Sequence, residues 1–195
     1  MRAILSFIYW VFVGVSSIAM FPIAVLIRAF TAPFDLRQRA LHQFTCFWAS
    51  LYSWLNPAWR VVIEHKERLR RGVPYVMIAN HQSLLDILVM FRLFVHFKWV
   101  SKMEAFKVPF IGWNMYLNRY VRLKRGDAPS IARMMEACER WLRRGSPIMM
   151  FPEGSRSITG KLRAFKHGAF TLARKTGEQV LLLSARQYDP ADPLL

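Results

Sequence analysis

The chain has 195 residues, 54% of them apolar and 21% charged, with 28 Lys and Arg against 12 Asp and Glu for a formal net charge of +16. That length holds one ordinary domain plus a membrane segment, the apolar share excludes a disordered chain, and the charge attracts polyanions: nucleic acid, an anionic bilayer or phosphate-bearing substrates. No helix-turn-helix, finger or ribonucleoprotein signature is present, so no nucleic-acid partner is expected, and no Cys/His cluster or H-E-x-x-H suggests a metal.

From Ala3 to Ile27 there is no charged residue. As a helix this stretch measures roughly 37 Å against a hydrocarbon core of about 30 Å, enough to span a bilayer, while Gly14 and Pro22 leave open a re-entrant helix pair. It is too long for the apolar region of a secretory signal and lacks a cleavage pattern, so it reads as a retained anchor. Arg28, Arg37 and Arg39 follow it and only Arg2 precedes it, which places the rest of the chain on the cytoplasmic face. Phe44, Phe47, Trp48, Leu51, Tyr52 and Leu55 then fall at helical spacing, with Asn56 and Pro57 ending the run. Two readings of this aromatic helix stand: packing on the domain core, or Trp48, Tyr52, Trp54 and Trp59 at headgroup depth.

Beyond residue 60, apolar or β-branched runs alternate with helical ones. Strands are expected at 60–65, 74–79, 98–101, 120–123, 147–151 and 179–184, and helices at 83–95, 109–118, 129–144 and 165–175. The class is α/β, a mixed sheet flanked by helices, with residues 1–59 forming the anchoring segment and 60–195 the α/β domain. Cys46 and Cys138 read as buried thiols in a reducing compartment.

Two segments that follow apolar strands carry chemistry. In Asn80-His81-Gln82-Ser83-Leu84-Leu85-Asp86 an imidazole and a carboxylate stand about one helical turn apart, so Asp86 can hold the ring in one tautomer and support the charge His81 gains when it takes a proton. In Phe151-Pro152-Glu153-Gly154-Ser155-Arg156-Ser157, a turn brings together a carboxylate, a glycine open to close approach, a hydroxyl and a guanidinium, groups suited to a phosphorylated polyol. Glu153 is expected to accept hydrogen bonds from acceptor hydroxyls or to fix Arg156; Asn80 is expected to brace its loop. Ligands of open α/β sheets gather at the carboxyl ends of strands, where both segments lie.

In this order and separation the two segments resemble the first and third blocks, N-H-x4-D and F-P-E-G-[ST]-R-S, of the glycerolipid acyltransferase family. The resemblance runs from about Arg60 to Lys175. Lys102, Glu104, Pro109 and Gly112 match the family's K-x-E-x4-P-x2-G stretch, Arg125 matches the arginine closing its second block, and Phe165-Lys166-His167-Gly168 matches F-K-x-G. The resemblance implies a fatty acyl group passed from acyl-CoA or acyl carrier protein, as co-substrate and with no other cofactor, to the free hydroxyl of 1-acylglycerol 3-phosphate, forming phosphatidic acid. It implies His81 and Asp86 as catalytic, and Glu153, Gly154, Ser155, Arg156, Lys102 and Arg125 as substrate-binding; for Lys102 and Arg125 a solvated basic face is the alternative. It also implies the cytoplasmic face of a membrane, a bacterial inner membrane being the expectation. Arg119 stands where relatives usually have glycine, and the last block ends in Val180-Leu181-Leu182-Leu183 without the family's proline and then a polar tail, Gln187 to Leu195. Another lysolipid as acceptor, or a lipid-binding relative without turnover, therefore stays open.

Overall fold

The computed structural model describes residues 2–56, 61–70, 72–157 and 161–185; Trp59 and the tail from Gln187 lie outside them. Helix α1 (Arg2–Thr31) carries the apolar segment, and α2 (Arg39–Trp54) turns back against it. Tyr52 and Trp48 are the hinge of that contact: both are buried, Trp48 Nε1 donates to Tyr52 Oη at 2.6 Å, and Tyr52 Oη meets Ser17 Oγ at 3.1 Å. Of the two readings of the aromatic helix, Trp48 and Tyr52 follow the core one, while Trp54 is exposed and stacked on Phe94.

The sheet contains β1 (Val76–Ala79), β2 (Lys98–Lys102), β3 (Val121–Leu123), β4 (Ile148–Met150) and β5 (Val180–Leu183), in the order β3-β2-β4-β1-β5. Every pairing among them is parallel. The α/β architecture is as expected; the sheet is parallel rather than mixed. Each strand returns through a helical crossover, α3 (Leu85–Phe91), α4 (Ile111–Leu117), α5 (Ala128–Arg143) or α6 (Gly168–Thr176), so its successor enters in the same direction. Of the expected strand at 60–65, residue 60 lies outside the described residues, while 61–65 is irregular and His65 turns into the left-handed region at φ 55. Helix α3 is shorter than the expected 83–95, ending in turns at Arg92 and Leu93 before Phe94 at φ 52.

Side-chain alternation divides the core. Met77, Ala79, Trp99 and Met149 face α2 and α3, packing with Cys46, Ala49, Met90 and Phe91. Val76, Ile78, Ile148 and Met150 face α5 and α6, packing with Met134, Cys138, Leu142 and Leu172. Lys98, fully buried at the start of β2, ties the α1–α2 elbow to the sheet: Nζ donates to Arg37 O at 2.7 Å, Gln38 Oε1 at 2.9 Å and Asn118 O at 2.7 Å, and burial pushes its pKa down to about 7.

Candidate active site

A parallel sheet sends all its strand ends to one edge, and that edge holds the expected residues. Asn80 and His81 follow β1, Lys102 closes β2, Arg125 comes two residues after β3, and Phe151 to Arg156 follow β4. Because β4 lies between β1 and β2, the turn after it lies between the dyad and Lys102. Two strand spacings separate Lys102 from the dyad's strand, about 10 Å, with Arg125 one strand further.

His81 is two residues past Ala79 and so keeps to the face covered by α3. There Nδ1 meets Asp86 Oδ2 at 3.0 Å, and both residues are buried. The same carboxylate oxygen accepts the backbone N–H of Gln82 at 2.6 Å and of Ser83 at 2.9 Å. Ser83 Oγ in turn accepts Leu85 N–H at 3.0 Å, a local turn bond just before α3. Burial pushes the Asp86 carboxyl up, but the hydrogen bonds from His81, Ser83 and Gln82 outweigh it and hold the group below its ordinary range. A carboxylate at Asp86 requires a proton on Nδ1, which leaves the Nε2 lone pair to act as base.

The ring also has a floor. Phe151 lies flat against it, centroids 4.0 Å apart and planes 8° from parallel, and Trp99 backs Phe151 at 5.2 Å. This aromatic support sits in the expected motif but was not assigned a role from sequence; Phe151 shares the inward parity of Met149, and that is the signal that exposes it.

Glu153 is corrected. Rather than facing acceptor hydroxyls or Arg156, its carboxylate is buried, Oε1 accepting the His81 backbone N–H at 2.7 Å and Oε2 the Arg163 N–H at 2.9 Å. Ser157 N–H closes the joint by donating to His81 O at 2.8 Å. Glu153 therefore locks the two motifs together through the main chain. Gly154, at φ 73, is also approached differently than expected: a Cβ there would meet Lys166 Cε at 3.0 Å, so the side chain of the F-K-x-G stretch fills the space assigned to a ligand. Asn80 braces its loop as expected, exchanging two 2.8 Å hydrogen bonds with the backbone of Ala185 beyond β5.

Arg156, Lys102 and Arg125 are exposed, and Ser155 is half-buried. Partial burial lowers the pKa of Arg125, and nearby Glu104 opposes that shift. No group of His, Cys, Asp and Glu fit to hold a metal occurs among the described residues. The site thus offers a base with an oriented ring at one end and exposed cations along the same edge.

The model of the family described as Acyltransferase matches residues 60–185. The chain is 37% identical over 175 residues to a chloroplastic 1-acyl-sn-glycerol-3-phosphate acyltransferase of Arabidopsis thaliana, covering 89% of this chain and 49% of the relative. It is 37% identical over 182 residues to a 1-acyl-sn-glycerol-3-phosphate acyltransferase of Chlamydomonas reinhardtii, covering 92% of this chain and 53% of the relative. The chain thus spans about half the length of these curated relatives. Among solved structures, the crystal structure of the 1-acyl-sn-glycerophosphate acyltransferase PlsC from Thermotoga maritima superposes with a TM-score of 0.66 at 21% identity, covering 93% of this chain and 75% of that one; at that identity the likeness establishes the fold.

Proposed function

The chain belongs to the acyltransferase family, and from that premise we propose that it moves a fatty acyl group from acyl-CoA or acyl carrier protein to the free hydroxyl of 1-acylglycerol 3-phosphate, giving phosphatidic acid. The observation that carries this reading is the His81–Asp86 hydrogen bond, held in a buried joint with the Glu153 motif. His81 Nε2 takes the hydroxyl proton as the oxygen attacks the thioester carbonyl. The tetrahedral intermediate collapses, the C–S bond breaks, and the proton on His81 passes to the departing thiolate. Asp86 stays ionised and compensates the positive imidazole between the two transfers.

The acceptor's phosphate is assigned to Lys102, Arg125 and Arg156. A guanidinium grips phosphate oxygens in pairs and an ammonium adds a point charge, and all three side chains are exposed at the carboxyl edge of the sheet. Glu153 and Gly154 act as positioning residues, and Ser155 contributes a hydroxyl beside Arg156. The relatives' descriptions, which name 1-acyl-sn-glycerol 3-phosphate, support this choice of acceptor. Membrane attachment is assigned to α1, whose stretch Ser6–Thr31 is long and apolar enough to cross a bilayer and is 17% buried in its most apolar window. The plant and algal relatives give no support to a bacterial inner membrane in particular.

The test is an acceptor panel. Purified protein is given acyl-CoA, then acyl carrier protein thioester, with 1-acylglycerol 3-phosphate or with neutral and zwitterionic lysolipids of equal chain length. Thiol release that requires the phosphate monoester, and whose KM for it rises about tenfold or more in Arg156→Ala, is expected. Equal rates with neutral acceptors would overturn the phosphate assignment.

A further inference from the structure

The turn before α4 and the helix itself expose four large apolar side chains: Val108 at 45%, Ile111 at 38%, Trp113 at 44% and Tyr116 at 47%. Trp113 and Tyr116, three residues apart, share one side of the helix, and an exposed aromatic pair continuous with further apolar surface marks an interaction site. It is continuous with the apolar helix. Phe21 of α1 meets the ring of Phe110 at 5.9 Å and that of Trp113 at 5.5 Å, and Phe110 and Trp113 meet each other at 5.0 Å. Phe110 stands at φ 60, ψ −56, the centre of a tight three-residue turn closed by Ile111 N–H donating to Pro109 O at 2.6 Å, and this turn presents its ring to Phe21 and Trp113.

The margin of the patch is cationic. Between residues 98 and 125 there are seven Lys and Arg and a single acid, Glu104. Lys102, Lys107, Arg122 and Arg125 are exposed, and Arg122 lies over the Tyr116 ring at 5.3 Å. An aromatic face of Trp and Tyr, with lysine and arginine close to it in the chain and Arg122 on its Tyr116 ring, matches the layering of hydrocarbon, headgroup and phosphate in one leaflet. We propose that the 108–116 segment is a second membrane-inserting element, which enters the same leaflet as α1 beside the candidate site and sets the depth at which Lys102 and Arg125 meet lipid phosphates. The occupant is an anionic bilayer.

The inference rests on the acyl-transfer reading only where activity is the readout, so its test has two arms. In the full chain, Trp113→Cys is labelled with an environment-sensitive fluorophore, Cys46 and Cys138 being buried, and Ile131→Cys on α5 serves as the control. In vesicles of phosphatidylcholine with a minority of phosphatidylglycerol, acyl-brominated lipid is expected to quench the label at 113 about threefold more than the control. Equal quenching at both sites overturns the proposal. So does protection at 113 that vanishes when the protein is diluted into excess lipid, which would mean that a second copy covers this face.

In the second arm, Ile111→Glu with Trp113→Glu is expected to raise the KM for vesicle-borne acceptor about tenfold, while leaving kcat on a monomeric short-chain acceptor unchanged and Trp113→Leu near wild type. Equal loss on both acceptors would show a folding role and overturn the proposal. Quenching at 113 with no turnover on any acceptor would keep it and sink the acyl-transfer reading instead.

Discussion

His81 and Asp86 were legible because their spacing is local: five residues and one turn, in which Gln82 and Ser83 N–H donate to Asp86 Oδ2, bring the two side chains together. Asp86→Asn can still hydrogen-bond but no longer demands the proton on Nδ1, and acyl transfer should fall about a thousandfold or more with secondary structure intact. Folding depresses the Asp86 pKa, so its contribution to stability is present in full above the ordinary carboxylate value of about 4 and is lost as pH falls through the lower folded value. Urea unfolding at descending pH should therefore show the gap between wild type and Asp86→Asn closing; a constant gap would contradict it. Glu153 was misread because its partners are 72 and 10 residues away and are main-chain donors, which no motif displays. In Glu153→Gln the amide nitrogen must face one of those N–H groups. The expected cost is about 1–3 kcal/mol of stability with a fall in kcat, measured by denaturation and turnover on the same preparation.

At the scale of elements, periodicity located five strands and the helices between them, and the misses have physical causes. The run 61–65 opens with three β-branched residues, but Ile63 packs against the core on the α2 and α3 side and the segment remains irregular. The direction of the strands was not readable from any one of them, since it is set by crossovers. Helix α5 was the clearest element: Asp127 Oδ2 accepts Ser130 N–H at 2.8 Å at its start, and Gly145 at φ 73 follows its end. The K-x-E-x4-P-x2-G stretch has a packing explanation at its last position. A Cβ on Gly112 would run into the carbonyl of Phe106, where α4 crosses the turn after β2. Gly112→Ala should cost about 1–3 kcal/mol and, by shifting that turn, raise the KM for the phosphate acceptor; thermal melts and initial rates check both.

On the scale of the whole molecule, the orientation of α1 was left open by its composition and is constrained by its contacts. Protein covers one side of α1 from Tyr9, which donates to Tyr52 O, through Phe12 and Val13 to Phe21. A perpendicular crossing would draw α2 and α4 into hydrocarbon along with it, including the buried polar groups Thr45, Asn114 and Asn118 between them. The exposed side of α1 lying in one leaflet avoids that cost. Single cysteines at Ser6 and Phe34 should therefore react with an impermeant reagent from the same side of sealed vesicles, and opposite sidedness would contradict it.

Acyl transfer by the buried His81–Asp86 pair, locked to the Glu153 motif, is tested by release of free thiol from acyl-CoA, with and without 1-acylglycerol 3-phosphate, by wild type and His81→Ala. Acceptor-dependent release is expected in the wild type, and its loss, about a thousandfold or more, in a folded variant. Undiminished release from His81→Ala would contradict it.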